Sequence, residues 1–70
     1  MKNVLANMAG NVWKIVVKEG DQVTAGDDVV ILESMKMEIP ISAETSGTVK
    51  ELKVAEGDFV NEGDVLLVIE

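Results

Sequence analysis

Seventy residues with a 47% apolar share can enclose one small core, and the lack of Cys removes disulfide staples and fits a reducing, cytoplasmic setting. Thirteen acidic residues against six Lys and no Arg give a formal charge of −7, which disfavours nucleic acid and anionic membrane surfaces as partners. Without His or Cys the chain has no Ser-His or Cys-His nucleophile pair and no usual zinc site, so catalysis by this chain alone is not expected.

Taken in chain order, short runs of Val, Ile and Leu predict strands over residues 2–6, 10–17, 22–24 and 29–34. A second set follows at 37–42, 47–54, 59–61 and 65–70. Gly-Asp pairs at 20–21, 26–27, 57–58 and 63–64 punctuate them as turns, and all six Gly read as turn residues. No apolar period of 3.6 residues lasts long enough for a helix. Met1 leads into neither a signal peptide nor a membrane-length apolar run.

The two sets are copies. "GNVWKIVVKEGDQVTAGDDVVILE" from Gly10 aligns without gaps on "GTVKELKVAEGDFVNEGDVLLVIE" from Gly47, with ten identities in twenty-four positions at an offset of 37. In both copies an apolar residue follows another after three positions instead of two (Val12 to Ile15, Val49 to Leu52), which predicts a bulge or bend. The runs 29–32 and 65–69 are apolar at every position and read as strands covered on both sides or lying at a sheet crossing. Trp13 aligns with Lys50 and Phe59 with Gln22; both aromatics read as local packing that breaks the symmetry.

The expected architecture is one all-β domain spanning residues 1–70. It is a flattened eight-stranded barrel or sandwich (a barrel-sandwich hybrid) of two halves, 1–33 and 38–70, related by a pseudo-two-fold axis. Neither half can bury its apolar face alone. The connector 34–37, Ser-Met-Lys-Met, has only the gap between the chain termini as its symmetry mate. A two-fold running across the barrel puts Lys36 at the tip farthest from the termini. A start at Met1 and a second repeat closing at Glu70 fit a complete chain.

That tip is chemically odd. Hairpin turns favour Gly, Asn or Asp, and exposed Met is unusual on a surface, yet Met35-Lys36-Met37 has neither turn residue nor polar cover. As plain structure, Lys36 would be a solvated turn Lys and the two Met adaptable core filler. Both Met pointing inward from a tip is awkward, and a recognition role fits them better. Asp27-Asp28 is too poor in oxygen ligands for a hard cation, and its repeat mate is Asp64-Val65, so no metal site is expected.

The stretch "ESMKMEI" resembles the attachment motif of the biotinyl/lipoyl attachment-domain family, usually Glu-Ala-Met-Lys-Met-Glu. "ANMAGNVWKI" resembles the family's opening Ala-Pro-Met-x-Gly-x-Val, and "EGDQVTAGD" and "EGDFVNEGD" its paired Gly-Asp hairpins. The resemblance covers essentially the whole chain and is closest to the stand-alone, biotin carboxyl carrier-like members. Ser34 replaces the common Ala, and Asn7 and Glu44 stand where Pro is frequent. The protruding loop of some acetyl-CoA carboxylase carriers has no counterpart.

The resemblance implies two four-stranded antiparallel sheets and biotin carried covalently on Lys36. It also implies a biotin protein ligase as modifying partner, then a biotin carboxylase and a carboxyltransferase as the sites visited. Met35, Met37, Glu33 and Glu38 are the expected ligase-recognition residues, Glu33 the least specific because Glu70 repeats it. A lysine amine in water is almost wholly protonated at neutral pH, and this chain offers no general base, so a ligase must bring the activated acyl group and the base. Lipoate, attached by a lipoyl ligase, is the alternative cofactor. Lipoyl domains usually have Asp before the Lys and a small residue after it, so the Met pair favours biotin. An unmodified β interaction module is the third reading.

Overall fold

In a computed structural model describing residues 1–70, eight strands and no helix form two four-stranded sheets. The strands are β1 (Lys2–Leu5), β2 (Gly10–Ile15), β3 (Gln22–Val23), β4 (Asp28–Ser34), β5 (Met37–Ser42), β6 (Gly47–Leu52), β7 (Phe59–Val60) and β8 (Val65–Ile69). Sheet I runs β1-β8-β6-β3 and sheet II runs β5-β4-β2-β7. Exchanging each strand for the one 37 residues away in the other half converts one order into the other. Each sheet thus takes two strands from each half, and the halves are interlocked rather than stacked.

One core lies between the sheets: Val4, Val12, Val29, Leu32, Val49, Leu66 and eight further apolar residues are buried with no buried polar or charged side chain among them. The period-2 pattern supplies this directly, since Val4 and Val12 point inward while their strand neighbours point out.

The two long strands end at Ile15 and Leu52, two residues before the ends expected from sequence, 17 and 54. There the backbone N–H of Ile15 donates to the Glu56 carboxylate at 3.0 Å, and that of Leu52 to Glu19 at 3.1 Å. A side chain from the opposite half takes over from the ladder. The same "EGD" turns cross the two-fold again through backbone bonds: Gly20 N–H to the Val49 carbonyl and Gly57 N–H to the Val12 carbonyl, both 2.8 Å. Asp21, Asp27, Asp58 and Asp64 each accept from the N–H three residues earlier, at 2.8–2.9 Å. Every element of the repeated motif therefore has a structural use: Glu binds the other half, Gly turns with φ between 91° and 97°, and Asp closes its own loop.

The shared break in alternation is a bulge in each copy, between Val12 and Lys14 against β4 and between Val49 and Glu51 against β8. A second pair of bulges corrects the two-sided reading of the apolar runs. The register skips a residue between Asp28 and Val30, and Val29 and Val30 are both fully buried in succession. Leu66 and Leu67 repeat this in β8. The bulge, and not cover on both faces, turns two adjacent side chains inward; Ile31 and Val68 are only half-buried.

Two glycines are not turn residues. Gly10 and Gly47 begin strands, and a Cβ on Gly10 would stand 2.9 Å from the Glu33 carbonyl oxygen. On Gly47 it would stand 2.5 Å from the Glu70 oxygen and 2.6 Å from Ile69 Cγ2. Close backbone approach requires them. Trp13 and Phe59 also depart from expectation: they are 46% and 62% exposed, so neither packs into the core.

Candidate functional site

The β4–β5 hairpin builds the site. Ser34 pairs with Met37, leaving Met35 and Lys36 as a two-residue turn with φ of 52° and 65°. Two successive left-handed residues are the signature of a type I′ turn, whose twist matches the flanking strands. Met and Lys are poor choices for it, because each non-Gly residue there is strained by about 1–2 kcal/mol. The register imposes the turn on two residues that do not favour it.

Strain has a directional consequence here. Lys36 projects from the turn, exposed, and its amine takes part in no hydrogen bond; the one salt bridge of the chain joins Lys53 and Glu51. Met35 is 92% exposed and Met37 63%, which rules out core filler for both. Below them Glu33 and Glu38 stand directly opposite one another, Glu33 half-buried and Glu38 exposed. Like charges in cross-strand register oppose folding, and no cation is bonded to either. The structure thus gathers the five residues singled out in the sequence onto one hairpin end. It adds Gly10, whose bare Cα lets β2 approach the Glu33 carbonyl and the Ser34 side chain.

The termini are close together, with Lys2 opposite Ile69. From there β1 carries the chain toward the end where β2 starts, beside Glu33 and Ser34. A cleft of about 740 Å³ between β1 and β5 reaches no closer to the turn along β5 than Pro40. Whatever Lys36 does, it does as a projection and not inside a pocket. Asp27 and Asp28 are occupied locally, by the Thr24 N–H and the Ser42 hydroxyl at 2.9 and 3.0 Å.

The sequence profile of a family described as "Biotin-requiring enzyme" matches residues 2–69. The chain belongs to the biotin/lipoyl attachment family. Over 43 residues it is 69% identical to the biotin/lipoyl attachment protein of Bacillus subtilis, a match covering 61% of this chain and 59% of that one. Over 42 residues it is 55% identical to the biotinylated protein TB7.3 of Mycobacterium tuberculosis, covering 60% and 59%. The match thus spans about three fifths of each of these relatives. Among solved structures, the urea carboxylase of Kluyveromyces lactis superposes with a TM-score of 0.92 at 39% identity, over 99% of this chain and 6% of that one. A single-chain, multi-domain long-chain acyl-CoA carboxylase gives 0.88 at 33% identity. The biotin/lipoyl fold in this chain is therefore the fold of a small segment within large carboxylases.

Proposed function

We propose that this attachment domain is a non-catalytic carrier, biotinylated on Lys36 by a biotin protein ligase, that serves a biotin-dependent carboxylase. The observation behind this reading is the type I′ turn that holds Met35 and Lys36 strained and exposed, with the lysine amine unpartnered. A turn built for stability would use Asn-Gly.

The residues fit the group. Lys36 offers a solvent-facing primary amine and a stem of four methylenes. In the attachment step the amine lone pair attacks the carboxyl carbon of an acyl-adenylate that the ligase has made with ATP, and the amide bond forms as the bond to AMP breaks and AMP leaves. The amine proton passes to a base of the ligase, because no carboxylate of this chain lies within 4.0 Å of the Lys36 amine. Met35 and Met37 offer apolar, deformable surface on either side of the amine, and Glu33 and Glu38 a paired negative charge below it. When bound, biotin supplies the chemistry of carrying a carboxyl group between a biotin carboxylase site and a carboxyltransferase site. The protein contributes tethering, which for a short link amounts to a local concentration on the order of millimolar.

Intact mass spectrometry after incubation with ATP, biotin and biotin ligase tests this, with lipoate and lipoyl ligase in parallel. The expected result is one biotinyl addition, absent from Lys36→Arg. A lipoyl addition alone would replace biotin by lipoate in the reading, and no addition with either ligase would overturn it.

A further inference from the structure

The pseudo-two-fold provides an internal control. Equivalent positions on the two sheets have the same backbone geometry, so a residue that differs between them in chemistry is not needed for the fold. On sheet II, Trp13 and Phe59 are exposed, and Val16, just beyond β2, is 48% exposed. Their equivalents 37 positions away on sheet I or at its edge are Lys50, Gln22 and Lys53. One sheet is polar where the other is apolar, and the apolar one carries Lys36. Sheet I shows exposed large apolar side chains only on or beside its edge strand β1, at Met1 and Leu5.

Placement sharpens this. Phe59 lies opposite Asn11, Asn11 opposite Glu33, and Glu33 opposite Glu38, so one row crosses all four strands of sheet II just below the Ser34–Met37 pair. Two strand spacings put Phe59 about 10 Å from Glu33. Trp13, two residues along β2 from Asn11 and pointing outward like it, is a diagonal neighbour of Phe59 at about 7–8 Å. The aromatic pair and the carboxylate pair lie on the same face, beside the same turn.

We propose that the outer face of sheet II, anchored by Phe59 and Trp13 and rimmed by Glu33 and Glu38, is the surface on which the modifying ligase docks. This rests on Lys36 being the acceptor. Aromatic anchors within a polar rim are the usual composition of a binding hot spot. The rim is acidic and the whole chain carries −7, so the complementary partner surface is an apolar pocket edged by Lys or Arg. A second copy of this chain does not fit. In a two-fold dimer through this face each copy would bring the same acidic rim and the same net charge of −7. A carboxylase active site fits less well than a ligase, because it works at the far end of the attached arm and can stand off from the protein. The ligase must take the Lys36 amine itself into its site. Its surface therefore lies against the turn, and an interface of ordinary size, about 800 Å² per partner, extends well beyond Phe59.

The repeat supplies the test substitutions. Phe59→Gln and Trp13→Lys install the residues already accommodated at the equivalent positions of sheet I, and Gln22→Phe makes the reverse exchange on the face without Lys36. Steady-state biotinylation by a biotin ligase is measured against carrier concentration, with thermal melts of each variant. The expected result is a KM raised about tenfold or more in Phe59→Gln/Trp13→Lys with kcat within twofold, and no change in Gln22→Phe. Docking is also read without chemistry on the modified face: Lys36→Arg, which offers no acceptor amine, inhibits biotinylation of the wild type competitively, and Lys36→Arg/Phe59→Gln does so at least fivefold more weakly. A KM within twofold of wild type in the folded double variant, or equal inhibition by the two competitors, would overturn the docking face while leaving Lys36 as acceptor. Failure of the wild type to accept biotin would overturn the acceptor reading itself.

Discussion

Replacing Met35 with Gly isolates the strain in the turn. Met35 is 92% exposed, so its side chain leaves no cavity, and its φ of 52° lies where a side chain is disfavoured by about 1–2 kcal/mol. Gly removes that strain but gives the unfolded chain extra freedom, an opposing effect of about 0.5–1 kcal/mol. The balance is a stabilisation of roughly 0.5–1 kcal/mol, or an increase of about 3–8 °C in Tm for a domain of this size. Met37→Gly is the matched contrast. Met37 is also exposed but lies in β5 with ordinary strand geometry, where Gly destabilises by about 0.5–1 kcal/mol. Thermal unfolding followed by far-UV circular dichroism reads both. A Tm that rises for residue 35 and falls for residue 37 is expected. A fall in Met35→Gly as large as that in Met37→Gly would show that the turn is not strained, and would remove the main physical reason for assigning it a function. The same Met35→Gly chain, more stable, is expected to be a poorer ligase substrate.

Gly47→Ala places a methyl 2.5 Å from a backbone oxygen and 2.6 Å from a buried Ile, a clash expected to destabilise by about 1–3 kcal/mol in urea unfolding. Gly10→Ala meets its nearest atom at 2.9 Å and is expected to destabilise less; the reverse order would refute the close-approach account. Glu56→Ala removes the acceptor for the Ile15 N–H and Glu19→Ala that for Leu52, each expected to lower stability by about 0.5–1.5 kcal/mol. Loss in one variant but not the other, read from urea midpoints, would contradict the equivalence of the two halves.

The 37-residue repeat makes all eight strands legible, and the Val12–Ile15 and Val49–Leu52 spacings mark two of the bulges. The other two were hidden because a bulge buried inside an all-apolar run changes no residue type: Val29 and Leu66 look like any strand residue. Gly10 and Gly47 were misread for a related reason. What excludes their side chain is mainly a carbonyl oxygen from another strand, and a backbone atom has no letter in the sequence. The outward position of Trp13 depended on which residue the bulge leaves unpaired, and the strand pattern alone did not say. Lys36 and its neighbours were legible from the motif they resemble, but the turn type was not. Met-Lys carries none of the usual signals of a type I′ turn, and only the Ser34–Met37 register reveals it.

Sheet I is closed by the two ends of the chain. β8 is the shared partner of β1, at the start, and of β6, in the second half, and it is the last strand to be synthesised. Until Val65–Ile69 leave the ribosome, β1 and β6 have no common neighbour, and the core lacks Leu66, Leu67 and Ile69. The β4–β5 hairpin emerges much earlier and can pair locally, but the scaffold that fixes it comes last. A polypeptide interrupted anywhere before β8 would expose β1 and β6 as open edges, prone to self-association. The β4–β5 hairpin is thereby held rigidly only after β8 has joined both β1 and β6.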